Sequence, residues 1–324
     1  MKLQQLRYIW EVAHNNLNVS ATAQCLYTSQ PGISKQIRLL EDELGVEIFA
    51  RNGKHLTQIT PAGEKILQLA GEVLHLVEGI KQQAQEFNEP DRGALNIAVT
   101  QNQASHRLPE ILHSFGKQFP RVSLSVQQAS PDRVAELLSE GTVDLALASS
   151  GLNVSNELVL LPCYHWKLGI FVPSQHPLIE HSKITLEQLA EYPLITYAAG
   201  YAGHALIEKT FQEKNLNPRF ACTATDTDVM KTYVSAGMGV GLMASLAYHP
   251  QRDNDLKVLS ADDIFKPCTA WLGLWRGGGL RQFTFKFIEQ LAPHLTRDCV
   301  EELLAQHNSE QLDNMINRLD VPVY

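Results

Sequence analysis

A small helical domain, one long helix and a larger α/β body are what this 324-residue sequence predicts, on three observations. Up to about residue 87 the apolar residues recur at spacings of three and four, the period of amphipathic helices. From residue 94 short apolar runs alternate with helical stretches, which implies parallel sheets with helices on both faces. The length exceeds what one ordinary core organises, so two or three domains are expected.

Residues 3–14, "LQQLRYIWEVAH", read as a helix with Leu3, Leu6, Ile9, Trp10 and Ala13 inward. "LNVSATAQCLY" (17–27) gives a short second helix, capped by Ser20, with Ala21 and Ala23 small enough for close packing. The third runs over 29–44. Ser29 is its N-cap, Pro31 fits its first turn, Gly45 stops it, and Ile33, Ile37, Leu40 and Leu44 form its buried stripe. "RNGKHLTQIT" (51–60) then reads as a hairpin turning at Asn52-Gly53.

Thr60-Pro61 opens a long helix to about Phe87. Ile66, Leu69, Val73, Leu76 and Ile80 form a heptad seam on it, the pattern of a helix that pairs with a second subunit. Packing on its own domain is the competing reading of so short a seam. "NEPDRG" (88–93) is a hinge by composition.

In the α/β body, strands are expected at "ALNIAVT", "VSLSVQQ", "DLALAS", "KLGIFVP", "PLITY", "RFACTAT" and "GVGLMAS", with a return strand at "AWLGLW". Helices fall at 106–119, 131–140, 185–191, 203–214, 227–236 and 280–292. Up to residue 295 this makes one large domain or two lobes, and two lobes would place a cleft at strand ends. Residues 296–324 read as a helical, partly mobile tail.

Composition narrows the class. Hydrophobic residues are 44% and charged residues 19%, globular values. No stretch approaches the roughly 18 apolar residues of a membrane helix, and "MKLQQLRYIW" lacks a signal peptide's apolar core. Cys25, Cys163, Cys222, Cys268 and Cys299 are scattered, without CxxC or Cys/His spacing. They fit a reducing cytosol and no metal site. No GxSxG, nucleophile cysteine or metal-ligating histidine pattern appears, so no catalytic residue, cofactor or enzymatic activity is expected. Gly237, Gly239 and Gly241 follow a helix and lead into a strand, the reverse of a dinucleotide loop.

The net charge of −8 is unevenly spread. Residues 1–60 carry six basic and five acidic side chains, a net of +1, leaving −9 for the rest. Three short helices and a basic hairpin form a winged helix-turn-helix pattern. The exposed early turns of the third helix carry Gln30, Ser34, Lys35 and Arg38 and no carboxylate, whereas Glu41, Asp42 and Glu43 come later. DNA phosphates repel acids, so a helix entering the major groove needs that distribution. Gln30 and Arg38 are the candidate base readers. Ser29, Ser34 and Lys35, on a helix start set by Pro31, suit phosphates, and Arg51 and Lys54 on the wing suit backbone or minor groove.

A second candidate site lies at "AVTQNQASHR" (98–107), where Thr100, Asn102 and Gln103 crowd neutral hydrogen-bonding groups at a strand end. "ASSG" ends another strand with Ser149 and Ser150. Such ends bind a small anion through amides and hydroxyls, and are also common as plain polar caps.

These motifs, in this order, resemble the LysR-type transcriptional regulators, and most of all their cysteine-biosynthesis branch. The shared wording includes "LYTSQPGISKQIRLLEDELG", "GKHLT", "TPAG", "LPCYHW", "KTYV" and "APHLTR", densest in the first 64 residues. The resemblance implies a winged helix-turn-helix with a linker helix, then two Rossmann-like lobes of the periplasmic-binding-protein type. It implies a homotetramer that binds promoter DNA, contacts RNA polymerase and activates sulfur-assimilation genes. The effector it implies is an acetylated serine, or a sulfate-like anion such as thiosulfate, in the cleft. Its pocket positions fall here on Thr100, Gln103 and Trp166, which match. Asn102 replaces that branch's threonine, Ser150 its glutamate and Ala202 its threonine.

Overall fold

The computed structural model describes residues 1–53, 55–152, 158–276 and 279–324. They divide into two units, the first built on residues 1–88 and the second on 89–276 with 281–324.

The first unit contains α1 (Leu3–His14), α2 (Val19–Cys25), α3 (Gln30–Leu44), β1 (Phe49–Asn52), β2 (His55–Ile59) and α4 (Pro61–Asn88). Ile9, Val12, Ile33, Ile37, Leu40 and Phe49 form its core. Three local expectations change. Leu3 is exposed and Val12 is buried in its stead, because α1 turns Leu6, Ile9 and Val12 inward. Asn18, not Ser20, caps α2, accepting the Ala21 N–H at 3.0 Å. Leu44 is partly exposed at the helix end, and the inward surface there belongs to Glu41. Gly45 takes the left-handed conformation, φ 70°, that a side chain would strain. β1 and β2 pair antiparallel with Gly53 in the turn; Lys54 lies outside the described residues.

On α4, Leu67, Ala70 and Gly71 are buried, and a Cβ on Gly71 would meet the Trp10 ring at 2.4 Å. Ile66 packs on the same core. The rest of the predicted seam points away from it: Leu69, Val73, Leu76 and Ile80 are 60, 40, 50 and 70% exposed. The helix therefore presents two apolar faces, one used within its own unit and one free among the described residues. α4 runs to Asn88 and β3 starts at Arg92, so only residues 89–91 remain of the hinge expected over 88–93.

The second unit opens with β3 (Arg92–Val99), α5 (Gln101–His106), α6 (Leu108–Gln118), β4 (Arg121–Gln128), α7 (Pro131–Ser139), β5 (Leu145–Ala148) and β6 (Leu158–Trp166). It continues with β7 (Leu168–Pro173), α8 (Leu186–Ala190), β8 (Leu194–Tyr197), α9 (Ala202–Glu213), β9 (Phe220–Ala224), α10 (Thr227–Ser235), β10 (Val240–Ala244) and β11 (Leu256–Ser260). β12 (Cys268–Trp275), α11 (Gln282–Leu291), α12 (Arg297–Ala305) and α13 (Ser309–Ile316) complete it. Two five-stranded sheets result, ordered β4-β3-β5-β12-β6 and β11-β7-β10-β8-β9, one per lobe.

The sheets are mixed rather than wholly parallel. β3 pairs parallel with β4 and β5, and β8 with β9 and β10. β12 runs antiparallel to β5 and β6, and β7 antiparallel to β10 and β11. The cause is the crossing of the chain: β6 leads into the second lobe and β12 brings it back, so the crossing strands oppose one another. β6 and β11 were not expected from sequence; Pro162 disguises β6, and it sits opposite the register shift of β12. The segment 101–105 is itself the helix α5, not a loop before one. Residues 235–240 make the expected helix-to-strand turn, with Gly237 at φ 75°. The expected tail is folded in α12 and α13, and Val323 bridges to His165. Among the described residues, no helix is long and apolar enough to cross a membrane.

Candidate functional site

The first site is the exposed face of α3. Ser29 Oγ caps the helix by accepting the Gly32 N–H at 3.3 Å, and Pro31 occupies the first turn. Gln30 Nε2 donates to Ser34 Oγ at 3.0 Å, which pre-sets the amide along the helix. Lys35 and Arg38 are exposed, and no acidic residue lies in the first turn. Glu41 is not a surface acid: its Oε1 accepts the backbone N–H groups of Ile48 at 2.9 Å and Phe49 at 3.2 Å. Its Oε2 accepts from Arg51 Nη2. Arg51, expected to be free for DNA, thus has an internal partner that fixes β1 to α3.

The second site is a cavity of about 300 Å³, open mouth included, at the strand ends of both lobes. Thr100, Asn102, Gln103, Ser149, Ser150 and Trp166 all line it, and Ala202 joins from the other lobe. Thr100 follows β3, held by its N–H on the Leu147 carbonyl at 3.2 Å. Gln103 is buried; its Oε1 accepts from the Tyr164 hydroxyl and its Nε2 donates to Ser149 Oγ at 3.3 Å. Trp166 Nε1 donates to the same oxygen at 2.8 Å. Two N–H donors fill the acceptor capacity of Ser149, so its own proton is left for a third partner.

From the second lobe, α9 begins at Ala202 after Tyr201, which gives no side-chain cap. Its first amides are therefore unclaimed by a capping side chain, with the positive end of the helix dipole behind them. Gly203 must be glycine for the lobe to close up, because a Cβ there would meet Tyr197 Cδ2 at 2.5 Å. Tyr197 and Tyr201 stack at 6.2 Å, and Tyr197 meets Trp166 edge-on at 6.3 Å. Burial pushes the Tyr164 and Tyr197 phenols well above their ordinary range, so both stay neutral. Among the described residues, no Asp, Glu, Lys or Arg lines the cavity. The arrangement suits a small, compact anion or zwitterion held by hydroxyls and amides.

Contacts join the lobes around the cavity. Ser150 Oγ donates to the Gly200 carbonyl at 3.0 Å, and Gln101 Nε2 to Asp226 Oδ2 at 3.0 Å. His106 lies 2.9 Å from Thr227 Oγ1. Sequence reasoning missed Pro131, Tyr197, Tyr201 and Gly203. The segment 197–203 shows the same strand, turn and helix-start order as 98–103 and would have been the signal.

Two family models match the segments in which these sites lie. The bacterial regulatory helix-turn-helix protein model of the lysR family covers residues 3–64. The LysR substrate binding domain model covers 88–296. The chain belongs to the LysR family of transcriptional regulators. It is thus a member of a regulatory, not an enzymatic, family, and carries the LysR pairing of a DNA-binding and an effector-binding domain. Over 311 residues it is 45% identical to the HTH-type transcriptional regulator CysB of Haemophilus influenzae, covering 95% of this chain and 96% of that one. SsuR of Burkholderia cenocepacia is 40% identical over 306 residues, 94% of this chain and 99% of that. Among solved structures, the cofactor-binding domain of the Cbl transcriptional regulator superposes with a TM-score of 0.64 at 36% identity, covering 66% of this chain and 94% of that one. The second unit described above thus contains the LysR substrate binding domain.

Proposed function

We propose that this LysR-type regulator binds promoter DNA as a homo-oligomer and switches sulfur-assimilation and cysteine-biosynthesis genes in response to a small effector. The reading is carried by one observation: among the described residues, the cavity between the lobes is lined by neutral donors and an uncapped helix start, without a charged side chain. Such a site takes acetylserine or a sulfate-like anion, the ligands implied by the resemblance to cysteine-biosynthesis regulators. Gln30 and Arg38 read bases in the major groove, and Ser29, Ser34 and Lys35, on the helix start set by Pro31, meet phosphates. Lys54 touches the backbone or minor groove, while Arg51, paired with Glu41, holds the wing in place. The exposed residues Leu69, Val73, Leu76 and Ile80 of α4 support pairing with a second copy, which brings two recognition helices to one operator. A homotetramer touching RNA polymerase in the cytoplasm completes the reading.

An effector that grips both lobes stabilises one relative orientation of them, and only that differential affinity can be passed to DNA. The test is fluorescence anisotropy on a labelled promoter fragment of a cysteine-biosynthesis operon, with and without O-acetylserine, N-acetylserine, sulfate and thiosulfate. The expected result is specific binding, shifted by at least one of the four. Specific binding that ignores all four would leave a LysR-type regulator with a different effector and regulon, a reading favoured by the departures at Asn102, Ser150 and Ala202.

A further inference from the structure

We infer that Tyr324, far from the cleft in sequence, is a positioning residue for the effector cavity; the inference rests on reading that cavity as the effector site. Residues 322–324 lie along β6 at one position. The His165 N–H donates to the Pro322 carbonyl and the Tyr324 N–H to the His165 carbonyl, each at 2.8 Å. His165 is flanked on β6 by Trp166, which lines the cavity, and by Tyr164, whose hydroxyl donates to the lining residue Gln103. Side chains alternate along a strand. His165 turns to Thr269, at 2.9 Å, while Tyr164 and Trp166 share the other face of the strand and are buried.

The Tyr324 side chain reaches Tyr164 by a second route. Its ring meets Tyr164 edge-on, 5.6 Å between centroids at 84°. The Arg107 guanidinium lies 4.2 Å from the Tyr324 ring centre and 5.5 Å from that of Tyr164. Arg107 Nη2 also donates to the Tyr324 hydroxyl at 3.0 Å. Tyr164 is thereby held from behind, and its hydroxyl is the donor that orients Gln103. Orientation is what matters for a carboxamide: with Oε1 taken by Tyr164, Nε2 must face Ser149, and Ser149 must then donate outward. Release of the 322–324 strap would let Tyr164 tilt and Gln103 turn, and the cavity would lose a hydroxyl aimed at its ligand. Tyr324 itself is 45% exposed, so truncating it opens no core void.

The full-length protein is tested as Tyr324→Ala, Tyr324→Phe and, as a cleft control, Thr100→Ala. Calorimetric titrations use O-acetylserine, sulfate and thiosulfate. A ligand-free readout is the Trp166 indole N–H resonance, assigned through Trp166→Phe. Tyr324→Ala should weaken the probe that binds the parent by about tenfold, the cost of one mis-set hydrogen bond. It should also shift the indole resonance. Tyr324→Phe, which keeps the ring over Arg107, should stay within about threefold and leave the resonance in place. An unmoved resonance in Tyr324→Ala overturns the inference, as does parental affinity in that variant while Thr100→Ala binds weakly. If Thr100→Ala leaves every titration unchanged, the assignment of the cavity fails instead, and the resonance alone decides whether the strap sets Trp166.

Discussion

The carboxylate of Glu41, on the helix proposed to read DNA, holds the guanidinium of Arg51 at the base of the wing. The same carboxylate takes the backbone N–H groups of Ile48, just before the wing, and Phe49, the first residue of β1. Helix and hairpin are therefore set relative to each other by one side chain. Glu41→Ala should destabilise the first unit by about 3 kcal/mol, because Arg51 and two amides lose their partner at once. Glu41→Gln should cost less. Thermal unfolding read by circular dichroism checks both, and an unchanged midpoint in Glu41→Ala would show that the pair holds nothing.

Arg38 is exposed on the acid-free face of α3. If it reads a base, Arg38→Ala should lose about 1–3 kcal/mol of specific affinity with little change on random DNA. Lys35→Ala should weaken both alike and flatten the dependence on salt. Gel shifts at two salt concentrations separate the two behaviours, and parental binding by both variants would remove α3 as the reading surface.

Val73 lies in the middle of the exposed α4 seam. Val73→Asp would place a charge where two apolar helices are proposed to meet, so its oligomeric mass in solution should fall. Light scattering after size exclusion measures this. Retention of the parental mass would assign the self-contact to another surface.

Ser150 donates to the Gly200 carbonyl across the lobes. Ser150→Glu substitutes an acceptor for that donor, so ligands carrying an N–H or O–H should gain relative to sulfate, which has neither. Parallel titrations with an acetylserine and sulfate give the ratio directly; a ratio equal to the parent's would place position 150 outside the ligand's reach.

His106 titrates at about 4 rather than 6.5. Burial is the main cause, and His249, with rings 5.6 Å apart, adds to it. Lys231 lowers it further, while Asp228 and Asp226 pull the other way. A depressed histidine binds fewer protons folded than unfolded, so stability is complete above about pH 6.5 and is lost as pH falls toward 4. His106→Gln should reduce that acid sensitivity. Thermal midpoints taken from pH 7.5 to 5 should converge for parent and variant at the acid end; parallel curves would mean that His106 is not the group responsible.

What was readable in the sequence follows how local its causes are. The α3 boundaries were legible because Ser29, Pro31 and Gly45 each satisfy or end the helix within a few residues. The cleft was legible in parts, since strand ends crowded with Thr100, Gln103 and Ser149 carry their chemistry in the local sequence. Which way Glu41 faced was not, because only Ile48, Phe49 and Arg51 make its burial affordable, and they arrive from another element. Sheet direction was hidden for the same reason. Nothing within β6 or β12 says that the chain leaves one lobe between them and comes back.

That excursion bears on the order of folding. Residues 168–260 hold every strand of the second lobe's sheet in one contiguous stretch. The first lobe's sheet is split until β12 arrives, since β12 lies between β5 and β6. As the ribosome delivers the chain, the inserted lobe can finish while its host is still in two pieces. Cys268–Trp275 then works as a zipper, joining β6 with the lining residue Trp166 to the half that carries Ser149. The pocket should accordingly be the last part of the protein to acquire its shape. In pulse-labelled hydrogen exchange during refolding, β8 and β10 should gain protection before β6, and a β6 protected first would reverse that order.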